Sequence, residues 1–257
     1  GHPSMEGLLF ESSITTPFHF LNAAEVSQRP SNPIPGLNYR HLDFERAEEH
    51  LTLFNVAYYV SVTEEATEAA ADYGLEVLAQ PDPFTIYAVP ESSLVEIARF
   101  VPAVWDGDEP FFDAALGWYD DIEGLDRWVA ADGPEDWPRI DNMDSARRSR
   151  IFSDGEVSDI VLDDHRISFT TTAVGVPHLV KVSHFPNWTA VGAEGPYRAA
   201  PSLMLVIPTQ EDVVIEFRNT WVENGGMAIT IVTLLTLAGW AVRARQRRKL
   251  AEARAEA

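Results

Sequence analysis

The sequence predicts an α+β protein: a mixed α/β N-terminal domain, then a jelly-roll-like antiparallel β-sandwich, then one C-terminal transmembrane helix. Three observations carry this prediction. Apolar residues recur at three- and four-residue spacing between Glu109 and Val129, they alternate with a period of two beyond Val157, and no charge interrupts Gly225 to Val242.

The N-terminal fifty or so residues are turn-rich, and the three prolines of "RPSNPIPG" (Arg29 to Gly36) preclude regular helix. "LTLFNVAYYVSV" (Leu51 to Val62), rich in β-branched and aromatic residues, reads as a buried strand. Thr63 is placed to N-cap a helix whose first turn holds Glu64 and Glu65, acids that favour the positive end of the helix dipole. Leu75 to Gln80 and Phe84 to Val89 form a hairpin around Pro81-Asp82-Pro83, which completes a β-α-β-β unit. Phe112, Leu116, Tyr119, Ile122, Leu125 and Trp128 then mark an amphipathic helix, with a break expected at Gly124.

Asp141 to Arg150 has few apolar residues and reads as a linker. Beyond it, "HRISFTT" (His165 to Thr171), "HLVKVSH" (His178 to His184) and "DVVIEFR" (Asp212 to Arg218) alternate as half-buried strands do, and five or six such strands suit a small sandwich. The expected organisation is an α/β domain over 1–140, a linker at 141–150, a sandwich over 151–222, a membrane helix at 223–242 and a basic tail at 243–257.

As a helix the charge-free segment Gly225 to Val242 covers roughly 27 Å, close to the ~30 Å hydrocarbon thickness of a bilayer. Trp221 and Trp240 fall near its two ends, where tryptophan favours the membrane interface. Arg243, Arg245 and four further basic residues follow against only two acids, so the tail is expected in the cytoplasm and the bulk of the chain outside the plasma membrane. Thr230, Thr233 and Thr236, with Gly226 one turn before, give the helix a face that suits close contact with other transmembrane helices.

Formal net charge is −21, and without the tail 13 Lys+Arg stand against 38 Asp+Glu, or −25 for residues 1–242. Such a surface repels nucleic acid. The absence of cysteine excludes disulfides, thiolate metal sites and a cysteine nucleophile. "GHPSM" at the start supplies neither a basic nor an apolar export segment, so the expectation is that further upstream sequence carries the membrane segment or signal that places the acidic part outside.

Glu6, Glu11 and His19 are the catalytic candidates, because paired carboxylates can donate a proton and stabilise positive charge during glycoside transfer. Capping and hydrogen bonding to the turn-rich backbone is the competing role for the same residues. Phe185, Asn187 and Trp188, with Tyr197 and Arg198 nearby, can form a carbohydrate-binding loop in which aromatic faces meet sugar C–H groups and the amide and guanidinium bind hydroxyls. Packing at a strand end is the alternative for these. "DDHR" (Asp163 to Arg166) reads as a hairpin turn, and no metal site or cofactor is expected in this chain.

"SMEGLLFESSITTPFHFL" (Ser4 to Leu21), "LFNVAYYVSV" (Leu53 to Val62) and "FPNWTAVGAEGPYRAAPSLMLVIPT" (Phe185 to Thr209) running toward a terminal membrane helix resemble the extracytoplasmic C-terminal region of actinobacterial multi-spanning membrane proteins. Those proteins look related to the glycosyltransferase-C superfamily and to membrane proteins described as YfhO-like. The resemblance implies transfer from a polyprenyl-phosphate-linked sugar by a parent protein whose catalytic acid lies in an earlier loop, so that it assigns no catalytic residue here. The expected function is an outward-facing module and last membrane helix of such a protein. The alternative is a non-catalytic single-pass surface protein that binds glycan or protein through its sandwich, and the number of upstream hydrophobic segments separates the two.

Overall fold

The computed structural model describes residue 5 and residues 13–90, 93–143 and 149–255. The chain divides into two units, Gly1–Glu216 and Phe217–Ala257.

The first unit opens with α1 (Thr16–Glu25), whose Pro17 sits in the first turn, where a missing N–H leaves no helix bond unmade. Helix α2 (Phe44–Leu53) follows, N-capped by the Asp43 carboxylate, which accepts from the Arg46 N–H at 3.5 Å. Next come β1 (Tyr58–Ser61), α3 (Glu64–Tyr73), β2 (Val77–Ala79) and β3 (Thr85–Ala88), the expected β-α-β-β unit. The Thr63 hydroxyl accepts from the Ala66 N–H at 3.3 Å, so the predicted N-cap is made. β3 pairs antiparallel with both neighbours, in the order β1-β3-β2. Tyr59 and Tyr87 on one sheet face meet Phe44, Ala47 and Leu51 of α2 and Ala70 of α3 in a closed core.

Leu51 to Val62 is therefore not one strand. Phe44, Ala47 and Leu51 lie on one helical face, and α2 takes the residues to Leu53, leaving only Tyr58–Ser61 to the sheet. Polar residues between those three hide the helical period in the sequence.

The chain continues through β4 (Val95–Ile97), β5 (Ala103–Trp105), α4 (Phe111–Asp120), a 3-10 turn at Ile122–Gly124, β6 (Val129–Ala130) and β7 (Arg139–Ile140). The amphipathic helix thus ends at Asp120 rather than near Val129, and the turn redirects Leu125 and Trp128 into the core that Trp118 and Tyr119 already enter. The remaining strands are β8 (Val157–Asp163), β9 (Arg166–Thr171), β10 (His178–Val180), β11 (Trp188–Val191), β12 (Ala193–Ala199), β13 (Leu203–Pro208) and β14 (Asp212–Phe217).

These strands build a seven-stranded sheet, β4-β10-β13-β12-β6-β5-β7, and a four-stranded sheet, β11-β14-β9-β8. Val95, Val180, Met204 and Val206 of the larger sheet interlock with Ile167, Phe169, Val213 and Ile215 of the smaller one, which makes the pair a β-sandwich. On its opposite face the larger sheet buries Ala103, Val129, Leu179, Leu203 and Leu205 with Phe18 of α1 and Trp118 of α4.

The boundary expected at 141–150 does not separate two independent sheets. β4 to β7 precede it and β10, β12 and β13 follow it, yet all seven share one sheet. Residues 144–148 lie outside the described part, and just beyond them Ser149 and Ile151 exchange backbone hydrogen bonds with Val101 and Arg99 at 2.9 and 2.8 Å. A sheet edge needs its N–H and C=O groups paired when it is buried, and strands from both sides of the boundary supply that pairing here.

The second unit is α5 (Trp221–Ala255), of which Trp221–Arg247, 27 residues, is long and apolar enough to cross a bilayer, with none of its apolar window buried. The hydroxyls of Thr230, Thr233 and Thr236 donate to the carbonyls of Gly226, Ile229 and Val232 at 2.9, 2.8 and 2.8 Å. Their polarity is spent inside the helix, so what this face offers a neighbour is small volume rather than a free hydrogen bond.

Two substitutions check this packing. Leu205→Ala, at a fully buried position, is expected to cost about 2–5 kcal/mol in urea unfolding of the first unit. Gly192→Ala is expected to cost more than about 1 kcal/mol, because Gly192 has φ +81° and an added Cβ would collide with the Asp212 carbonyl oxygen.

Candidate functional site

A half-open cleft in the first unit lies where α1, α2, α4 and the 36–38 loop meet, with a volume of about 240 Å³. Leu21, Leu37 and Leu116 form its apolar wall. Glu25, Asn38, Arg46 and Asp120 supply the polar groups, and Gly117 of α4 lies at its edge.

A buried charge network holds this cleft. The Glu25 side chain is 4% exposed, and both of its oxygens face the Nδ1 of the fully buried His50, at 2.8 and 3.0 Å. His50 Nε2 lies 2.9 Å from the Tyr119 carbonyl oxygen. A carbonyl only accepts, so Nε2 carries a hydrogen, and Nδ1 shares another with the Glu25 carboxyl group. Asn22 Nδ2 donates to the same carboxylate at 3.2 Å. The His50 ring stacks on Tyr119 at 3.6 Å between centroids, and burial followed by the Glu25 charge pushes the Tyr119 phenol well above its ordinary range.

Arg46 extends the network to the surface. Its guanidinium donates to Asp120 Oδ1 at 2.7 Å and to the Asp120 carbonyl at 2.9 Å, while Arg40 reaches the same carboxylate at 3.4 Å. Arg46 Nε is buried, lies 3.6 Å from Glu25 Oε1 and makes no hydrogen bond. With Glu25 engaged by three partners, it serves as an anchor for the arginine rather than as a free acid or base.

Glu6 and Glu11 lie outside the described residues. His19, the third catalytic candidate, packs edge-on against Phe54 at 5.0 Å, and its Nδ1 is buried without a hydrogen-bond partner. Burial lowers its pKa to about 4, so the ring is neutral near pH 7.

The carbohydrate candidates divide between two cores. Trp188 packs against the cluster between the sheets and donates its indole N–H to the Ser183 carbonyl at 3.2 Å. Tyr197 packs against the other cluster, edge-on to Trp137 at 5.6 Å. Arg198 lies over the Phe111 ring at 5.2 Å and donates to Ser202 Oγ at 3.2 Å. Phe185 is 36% exposed and Asn187 is partly buried at the turn into β11. The five residues therefore do not all serve one surface.

Two of the motifs singled out in the sequence do meet. Ser13 Oγ lies 3.0 Å from Ser183 Oγ and 2.6 Å from Thr15 Oγ1, which itself lies 2.9 Å from Ser183 Oγ. This trio of hydroxyls joins the N-terminal motif to the residue two positions before "FPNW". Close by in sequence, Lys181 buries an ammonium that donates to Glu96 Oε1 at 2.6 Å and the Thr52 carbonyl at 2.7 Å, tying β10, β4 and α2 together. Burial lowers its pKa and the Glu96 carboxylate opposes that shift. Among the described residues no group of His, Cys, Asp and Glu could hold a metal ion.

Sequence reasoning passed over Glu25, Arg46, His50, Asp120 and Lys181. One signal was available for Arg46 and His50, which stand four apart and so share a helix face, but only if α2 is recognised. For Lys181 the signal was rarity, since it is one of two lysines in the chain.

Removing one partner of the buried pair, by Glu25→Ala or His50→Ala, is expected to destabilise the first unit by about 3–5 kcal/mol, read by denaturant unfolding. His19 sets a pH dependence. The unfolded ring takes up its proton below its ordinary value of 6.5 and the folded ring only below about 4, so stability falls as pH drops through that window, and His178 and His184, also depressed by burial, act in the same direction. His19→Phe should flatten part of that loss, by no more than about 3 kcal/mol, in thermal melts recorded from pH 7 to pH 4. Compared with known family models, curated proteins and solved structures, the chain matches none.

Proposed function

We propose that this chain is the outward-facing module and last transmembrane helix of a multi-spanning bacterial envelope protein, one that acts like a glycosyltransferase on polyprenyl-phosphate-linked sugars. The observation that carries the reading is the charge asymmetry of α5. A charge-free segment, Gly225 to Val242, is followed at once by Arg243, Arg245 and Arg247, while an acidic body with a net charge of −25 over residues 1–242 precedes it. Short basic flanks stay on the cytoplasmic side, and this one orients the helix with the acidic unit outside.

Two further features support the reading. Only Arg218, Asn219 and Thr220 separate β14 from α5, so the chain leaves the folded unit and enters the span with almost no spacer. The motifs that carry the glycosyltransferase-C resemblance are also tied to one fold, the first through Ser13 and Thr15 to Ser183 at the threshold of the last. On this reading the chemistry belongs to the membrane-embedded part of the parent, and the module binds acceptor glycan or a neighbouring protein beside it. The Gly226 and threonine face of α5, with its hydroxyls closed internally, suits contact with the parent's other helices.

Protease applied to intact cells should cut the acidic unit and spare an epitope placed after Arg254. The reverse pattern, with the epitope removed and the acidic unit protected, overturns the topology. An upstream reading frame with about ten hydrophobic segments, each of the ~20 residues that a crossing helix needs, is expected on this reading, whereas a single signal peptide leaves the single-pass surface protein in its place.

A further inference from the structure

We propose that the cleft between α1, α2, α4 and the 36–38 loop binds one neutral sugar ring; this rests on the outward-facing, glycan-handling reading above and assigns that role to a site distinct from "FPNW".

Gly117 is the first ground. It stands inside the ten-residue helix α4, where glycine costs about 0.5–1 kcal/mol relative to alanine, and a Cβ built on it would meet nothing within 4 Å. Neither packing nor backbone conformation requires glycine there, and what its missing side chain does is leave the edge of the cleft open. The second ground is unspent polarity. Asp120 uses Oδ1 for Arg46 and Arg40, which leaves Oδ2 for a ligand in the cleft that Asn38 also lines.

The mixture of groups selects the ligand. Arg46 is balanced by Glu25 and Asp120, so an anion would face carboxylates and a cation would face a guanidinium. A neutral ring bearing hydroxyls gives and accepts hydrogen bonds on one side and places C–H groups against Leu21, Leu37 and Leu116 on the other. Size limits it to one ring: 240 Å³ is below the roughly 300 Å³ at which pockets for drug-sized ligands begin. The Glu25–His50 pair fixes where the guanidinium points, with Glu25 in the cleft wall and His50 behind it.

The experiment uses the full chain in nanodiscs, titrated with methyl glycosides of mannose, glucose, galactose and arabinose and followed by NMR line broadening of the sugar. At least one glycoside should saturate. Gly117→Leu, which fills the cleft from a position with free space, should abolish the broadening while circular dichroism and the thermal midpoint stay unchanged. Asp120→Asn, at a half-exposed carboxylate, should weaken binding about tenfold or more, as loss of a charged hydrogen bond does. Inorganic phosphate and acetate should not compete. Absence of saturation for all four glycosides overturns the proposal, as does unaltered binding by Asp120→Asn or by a folded Gly117→Leu, or displacement by phosphate. Protease topology is measured separately: lost binding with an outside location sinks the sugar site alone, and retained binding with an inside location sinks the envelope reading alone.

Discussion

Strand β13 belongs to both faces of the larger sheet at once. Its side chains alternate, so Leu203 and Leu205 enter the core beneath α1 and α4 while Met204 and Val206 enter the core between the two sheets. All four are almost completely buried. A strand in that position has no solvent face, which is why "LMLVIP" runs apolar without interruption. Its surroundings are arranged to match: β10 and β12 flank it by hydrogen bonds, and α1, α4 and the four-stranded sheet close over its two sides.

That constraint explains why the chain cannot be cut at residues 141–150 into independent halves. The apolar strands after this boundary need β4 to β7 to complete their sheet, and Phe18 and Trp118 to cover it. Hydrophobic burial of both faces therefore couples α1 to the last strands, and the hydroxyl contacts of Ser13 and Thr15 with Ser183 accompany that coupling.

Charge is used sparingly inside this acidic protein, and each buried ion is matched. Glu25 with His50 locks α1 to α2, and Lys181 with Glu96 locks β10 to β4 while the Thr52 carbonyl draws in the end of α2. Isolated, either ion would be costly in a low-dielectric interior; paired and hydrogen-bonded, they fix the angles between elements that apolar packing alone leaves adjustable. The cleft beside Arg46 exists because this network holds the guanidinium at the rim, facing Asp120, instead of letting it extend into water.

By itself the sequence determined what depends on neighbours along the chain. A helix long and apolar enough to cross a bilayer rests on a charge-free run, the start of α3 on Thr63, and the late strands on alternation, all of them local patterns. The β-α-β-β unit was legible for the same reason. Only the tertiary structure decided which strands share a sheet, because β4 to β7 show short, weak patterns: β4 pairs with β10 and β6 with β12 across the 141–150 boundary, and β5 and β7 join through β6. It also decided that Leu51 to Leu53 close a helix, that α4 stops at Asp120, and that Glu25, Arg46 and Asp120 meet at one cleft with His50 behind Glu25. Such a cluster has no signature in sequence, since its members come from three helices whose mutual angles are set by the burial of their other faces.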